Sequence, residues 1–237
     1  VRREAETEMP ASANSNPSIK MPTITTDESR NTILANGAAA AAANASHAAE
    51  ASAVDDLIAR IKSTDDSVRG PAWQGAARYG APAIKALAAL MADEDFETAR
   101  SAKRALWLIV RHAGRPGAAK ESRAVTKELI PLLGGNLAAV RRDVLWMLSE
   151  IAGDDAVASM AALLTDKEVR DDALCALMRL PGRKATSAMA SAFKSAPEEF
   201  KFALAEALRN RGEKVKGYPN QKLVPSRQTT VTQPPPA

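Results

Sequence analysis

Cys175, His47 and His112 supply every thiol and imidazole in a chain of 237 residues. A reactive thiolate needs an imidazole or a positive helix end beside it. Cys175 lies inside Asp171-Asp172-Ala173-Leu174-Cys175-Ala176-Leu177-Met178, an apolar helical pattern where a lone cysteine is expected as a small packing residue. One cysteine excludes an intramolecular disulfide and a cysteine-based zinc cluster. Two widely separated histidines do not make a multi-histidine metal site. His112 follows Arg111 at an expected helix end, where capping suits an imidazole better than catalysis. The carboxylate pairs Asp55-Asp56, Asp154-Asp155 and Asp171-Asp172 invite an acid/base reading. Neighbours on a helix point about 100° apart, so they do not converge on one substrate. Their places near helix starts suit capping instead. The phosphate-loop pattern GxxxxGK[ST] is absent, and Gly134-Gly135 alone signals little. The expectation is therefore a chain without catalytic residues and without a cofactor or metal.

What remains is binding chemistry. Lysine and arginine number 32 against 28 acids, a net of +4 that does not by itself imply nucleic acid. The distribution is uneven. Residues 53–99 carry a net of −3, 100–142 +8, 143–178 −6 and 179–212 +4. Solvated surface with pairing between segments would explain the alternation, and so would a basic band on one part of a scaffold.

The elements that must position these groups are helices. Residues 1–52 read as a disordered tail interrupted by Pro10, Pro17 and Pro22, with an Ala-rich linker at its end. That linker, Ala35–Ala53, holds 12 alanines in 19 residues and favours transient helix. Residues 213–237 read as a second disordered tail, Pro-rich and ending Pro234-Pro235-Pro236. Between them, apolar residues recur at three and four, and breakers such as Gly80-Ala81-Pro82, Gly134-Gly135 and Pro181-Gly182 mark helix ends. β-branched residues are sparse and period-2 alternation is missing, so no strand is expected.

An internal repeat organises residues 53–212. The positions Val68, Ala99, Val140, Val169 and Phe200 are 31, 41, 29 and 31 residues apart, and most sit in an acidic-turn, apolar, basic sequence. The long interval holds an extra loop, Gly114–Arg123. Seven and eight residues after each anchor the side chains are mostly apolar, which predicts one helix face repeated five times. Each such helix follows another apolar helix: 54–61, 84–91, 125–133, 156–164 and 185–193. A lone helical hairpin cannot bury both stripes, whereas stacked hairpins share a core.

The stretch from Glu128-Leu129-Ile130-Pro131 through Val140-Arg141 to Ala152-Gly153 resembles the HEAT family of helical repeats. The resemblance covers about residues 53–212 and implies an all-α, right-handed superhelix, an armadillo-like solenoid of about five hairpins. Ala99, Lys201 and Pro71 depart from the family pattern. The likeness implies that Asp66, Arg69, Arg100, Arg141, Asp166 and Arg170 form a structural ladder between repeats. Iron-binding hydroxylases on similar repeats carry several His-Glu pairs, and neither histidine here precedes a glutamate. A related family that excises alkylated bases from DNA directs attention to Trp73, Trp107 and Trp146. The residues four further on are Ala77, Arg111 and Glu150, none an aspartate. Trp107 falls in the eighth slot, apolar in other repeats, and is expected in the core. Trp146, between polar Arg142 and Glu150, is the best candidate for an exposed aromatic, with partial packing against the next repeat as the equal alternative.

In the helix from about Glu97 to Ala113, Arg100, Lys103, Arg104 and Arg111 share one side, opposite Ala102, Leu106, Ile109 and Val110. The next repeat adds Arg141 and Arg142. Stacking predicts one merged patch, with Lys103, Arg104, Arg111, Arg142 and Trp146 contacting a polyanion or acidic peptide, unless Asp143 and the acidic segment after it neutralise the cations. The expected function is a non-enzymatic protein–protein interaction scaffold, with nucleic-acid binding through residues 100–142 as the alternative. No uninterrupted apolar run approaches the roughly 18–20 residues of a membrane span. The single cysteine and polar tails fit the cytoplasm, and a leader before Val1 would instead direct the chain to the periplasm.

Overall fold

Alanine-rich sequence with apolar residues at three and four folds as expected into helices. The computed structural model describes residues 26–220, with side chains from residue 42 onward. The described residues are all-helical, without strands. The helices are α1 (Thr26–Ile61), α2 (Asp66–Gln74), α3 (Ile84–Leu90), α4 (Phe96–Ala113) and α5 (Ala119–Leu129). They continue with α6 (Ala138–Ile151), α7 (Val157–Ala162), α8 (Arg170–Arg179), α9 (Arg183–Ser195) and α10 (Glu198–Asn210). Short 3₁₀ turns at Ala76–Tyr79, Ala81–Ala83, Ile130–Gly134 and Leu163–Thr165 link several of them. No helix among the described residues is long and apolar enough to cross a membrane.

The chain divides at His47/Ala48 into two units. Of the first, the described part is α1 from Thr26. The expected tail thus contains regular helix from residue 26, well before the Ala-rich run. No proline follows Pro22 until Pro71, and alanine meets no side-chain entropy cost in a helix. Residues 42–53 are solvent-exposed, and Val54 is the first buried residue among those described, two past the expected boundary at 52. The expectations for residues 1–25 and 221–237 lie outside the described residues.

The second unit has one apolar core cluster running from Val54 to Leu208. The five sequence-predicted first helices correspond to the end of α1, then α3, α5, α7 and α9; the second helices are α2, α4, α6, α8 and α10. Contacts follow the same alternation. α2 meets α4, α4 meets α6, α6 meets α8 and α8 meets α10, while α3 meets α5 and α7 meets α9. Of the seventh positions after the five anchors, Leu106, Met147, Ala176 and Ala207 are buried, and Gly75 is exposed. Fully burying such a leucine or methionine contributes about 1.5–3 kcal/mol. Alanines such as Ala102, Ala105, Ala173 and Ala176 let helix backbones approach closely.

Helix ends are set by local chemistry. Asp65 caps α2 by accepting the Ser67 N–H at 2.8 Å, and Asp95 caps α4 by accepting the Thr98 N–H at 2.7 Å. These bonds hold both carboxyls below their usual range. Pro131 lacks an amide donor, so the predicted helix over 125–133 divides into α5 and a 3₁₀ turn. The expected loop Gly114–Arg123 is shorter than predicted, because α5 begins at Ala119. Gly114 marks a close approach: a Cβ there would stand 2.8 Å from Ile151 Cγ2 of α6.

Ordered contacts continue past the expected C-terminal boundary at 212. Residues 213–220 fold back on α9 and α10. The Tyr218 ring meets Phe193 and Phe202 edge-on at 5.3 and 5.2 Å, and its hydroxyl donates to Glu198 at 2.9 Å. Arg209 donates to the Tyr218 carbonyl at 2.8 Å and to Asn220 Oδ1 at 2.6 Å. Buried aromatic area and these hydrogen bonds offset the entropy of ordering a segment whose composition reads as a tail.

Candidate binding groove on α4

The groove is built on the outer face of α4. Apolar Ala102, Leu106, Ile109 and Val110 are buried, as the helical wheel predicts, so Arg100, Lys103, Arg104 and Arg111 point to solvent. Around this face lies a concavity of about 940 Å³. Trp73 of α2, Met91 just after α3, Phe96, Trp107 and Leu108 supply its apolar lining. Asp143 of α6 borders it.

Cations and aromatic rings interleave there. The Arg104 guanidinium stands 5.1 Å from the Trp73 ring centre, Arg111 5.2 Å from Trp107, and Arg100 5.7 Å from Phe96. Two of these pairs lie four residues apart on α4, where side chains on one face meet. Phe96 is 69% exposed, an apolar ring left in water at the mouth of the groove.

The cations differ in their partners. Arg100 pairs with Glu97 at 2.7 Å and Lys103 with Asp143 at 2.7 Å. Among the described residues no carboxylate lies within ion-pair distance of Arg104 or Arg111, which rest only on tryptophan faces. A guanidinium stacked on a ring still presents its N–H edge, the geometry that suits bidentate contact with a carboxylate or phosphate.

The expected five-residue patch therefore divides. Lys103, Arg104 and Arg111 line the groove. Arg142 and Trp146 are engaged by α8 and its approach. Arg142 pairs with Asp172 at 3.3 Å and donates to the Glu168 carbonyl at 2.7 Å. Trp146 is half-buried and its Nε1–H donates to Asp172 of α8 at 3.1 Å, which is the packed alternative and not the exposed one. Arg141 pairs with Asp166, both members of the expected ladder, and Arg170 pairs with Glu199 of α10 at 3.5 Å, which lies outside that set. Arg69 differs: it bonds Asp66 of its own helix and the Ser63 carbonyl. Arg100 likewise pairs within α4.

Trp107 departs from its expected place in the core. Trp107 is half-exposed in the groove although the eighth slot is buried in α6, α8 and α10. Trp73, to which its spacing assigns no role, lines the groove from α2. A readable signal existed in Phe96-x-x-x-Arg100 and Trp107-x-x-x-Arg111, aromatic–arginine pairs at helical spacing at both ends of α4. Cys175 reaches solvent, outside the core, but its neighbours still partly desolvate it, and with nearby Asp172 and Asp171 this pushes its thiol up, away from a reactive thiolate. His112 lies in the last turn of α4, 3.8 Å from Glu121.

No family model matches the chain, and no curated protein matches it. Among solved structures, a crystal structure of an engineered protein from the Northeast Structural Genomics Consortium is similar at 24% identity. The match covers 66% of this chain and 78% of that one, with a TM-score of 0.36.

Proposed function

We propose that this chain is a non-catalytic interaction scaffold that holds a segment of a protein partner in the α4 groove. In this reading its helical hairpins are HEAT-like and stack into a right-handed superhelix. The alternating contacts of second helices with second helices, and of α3 with α5 and α7 with α9, support that arrangement. The observation that carries the function is the groove itself: three aromatic rings and two arginines without carboxylate partners, gathered on a surface held by buried α4 residues. Exposed aromatic and arginine side chains in a concavity are the groups that anchor protein interfaces.

The nucleic-acid reading drew on the net charge of 100–142. Arg141 and Arg142 are committed to carboxylates of the following repeat, which leaves the α4 face with few free cations. The scaffold reading is tested by panning phage-displayed random 16-residue peptides against the full chain. Enriched clones that lose binding to a Trp73→Ala/Trp107→Ala variant of unchanged helical content are the expected result. No enrichment above an unrelated helical protein overturns the reading.

A further inference from the structure

Resting on that scaffold reading, we infer that the occupant of the α4 groove is an acidic amphipathic helix carrying two carboxylates about 10 Å apart on its groove-facing side, with an apolar side chain between them. The spacing comes from α4. Arg104 and Arg111 are seven residues apart, two helical turns, or about 10 Å along the axis. A partner helix lying along α4 presents matching carboxylates at positions i and i+7. Between the two arginines stand Trp107 and Leu108, which offer apolar area to a residue at i+3 or i+4 of the partner.

Charge complementarity selects an acidic partner. Lys103 already pairs with Asp143 and Arg100 with Glu97, so the field that a ligand meets is that of Arg104 and Arg111. Tryptophan stacking orders both guanidiniums before the ligand arrives, which lowers the entropy cost of forming two bidentate pairs. The same two cations suit a nucleic acid poorly. Two neutralised phosphates contribute a log–log salt slope of only about 1.4 for a single strand, against the many contacts that non-specific binding draws on. Met91, Phe96 and Leu108 line the groove with surface that favours apolar side chains over a phosphate backbone.

The test uses the full chain and four fluorescent probes, read by anisotropy. Three are Ala-rich 21-residue helices: one with Glu at i and i+7 and Leu at i+4, one with the second Glu moved to i+2 on another face, and one with Lys replacing both Glu. The fourth is a 20-nucleotide oligo-dT. The i/i+7 peptide is expected to bind at least tenfold more tightly than the other three. An Arg104→Glu/Arg111→Glu variant should lose that peptide and gain the Lys peptide, a reversal that misfolding cannot produce. Arg142→Ala should alter the affinity less than twofold. Equal binding of the Glu i/i+7 and i/i+2 peptides, preference for oligo-dT, or loss without reversal overturns the inference. Neutral or basic consensus sequences from the phage panning would overturn it too, while leaving the scaffold reading intact.

Discussion

The α4 groove and the α6–α8 seam start from the same ingredients, arginines beside a tryptophan on successive second helices, and reach opposite outcomes. At the seam, Arg141 meets Asp166 and Arg142 meets Asp172, which also accepts the Trp146 N–H. In the groove, Arg104 and Arg111 meet only the faces of Trp73 and Trp107. The cause lies one repeat further on. The turn and first turn of α8 carry Asp166, Glu168, Asp171 and Asp172, whereas residues 136–141 at the start of α6 carry no acid, and the one α6 carboxylate that borders the groove, Asp143, is already held by Lys103. A basic cluster is paired where the helix pair that follows is acidic, and left partly without carboxylate partners where it is not.

The comparison makes a graded set of expectations. The deepest break is on the inner face of α4. Leu106→Ala empties a fully buried site and should cost about 2–5 kcal/mol in urea unfolding, collapsing groove and seam together because one core underlies both. Retention of the groove's tryptophan fluorescence while the seam unfolds would separate the two regions.

Truncating the arginines sharpens the contrast between pairing and stacking. The Arg141 side chain is only 12% exposed, and Arg141→Ala deprives Asp166 of its cation; unfolding free energy should fall by about 1–2 kcal/mol. Arg104→Ala on the groove should stay within about 0.5 kcal/mol. Equal losses would mean that Arg104 is structural after all.

The smallest expected effect is on pH. The Glu168 backbone N–H, and then Arg141, hold the Asp166 carboxyl below its usual range. A depressed folded value contributes stability that is present above the unfolded value, near 4, and is lost as pH falls through the folded one. Thermal melts followed from pH 5 to pH 2 should show a drop that Asp166→Asn reduces. A drop of the same size in that variant would assign the acid sensitivity elsewhere.

Much of the second unit was legible as sequence. Spacings of three and four, glycine and proline punctuation, and the recurring anchor depend on local geometry, so the alternation of short helices and the burial of Ala102, Leu106, Ile109 and Val110 followed from the residues alone. The candidate site was legible by halves. Lys103, Arg104 and Arg111 share a face because a helix's own period places them there. The fate of Arg142 and Trp146 depended on α8, more than twenty residues away, and no local pattern encodes that register. Trp73 became a groove wall only when α2 packed on α4, and residues 213–220 became ordered only when Tyr218 found Phe193 and Phe202. Local sequence determined which side chains point outward. Packing between repeats decided which of them meet a carboxylate, because an ion pair needs its partner within a few ångströms and only the folded chain brings distant residues that close.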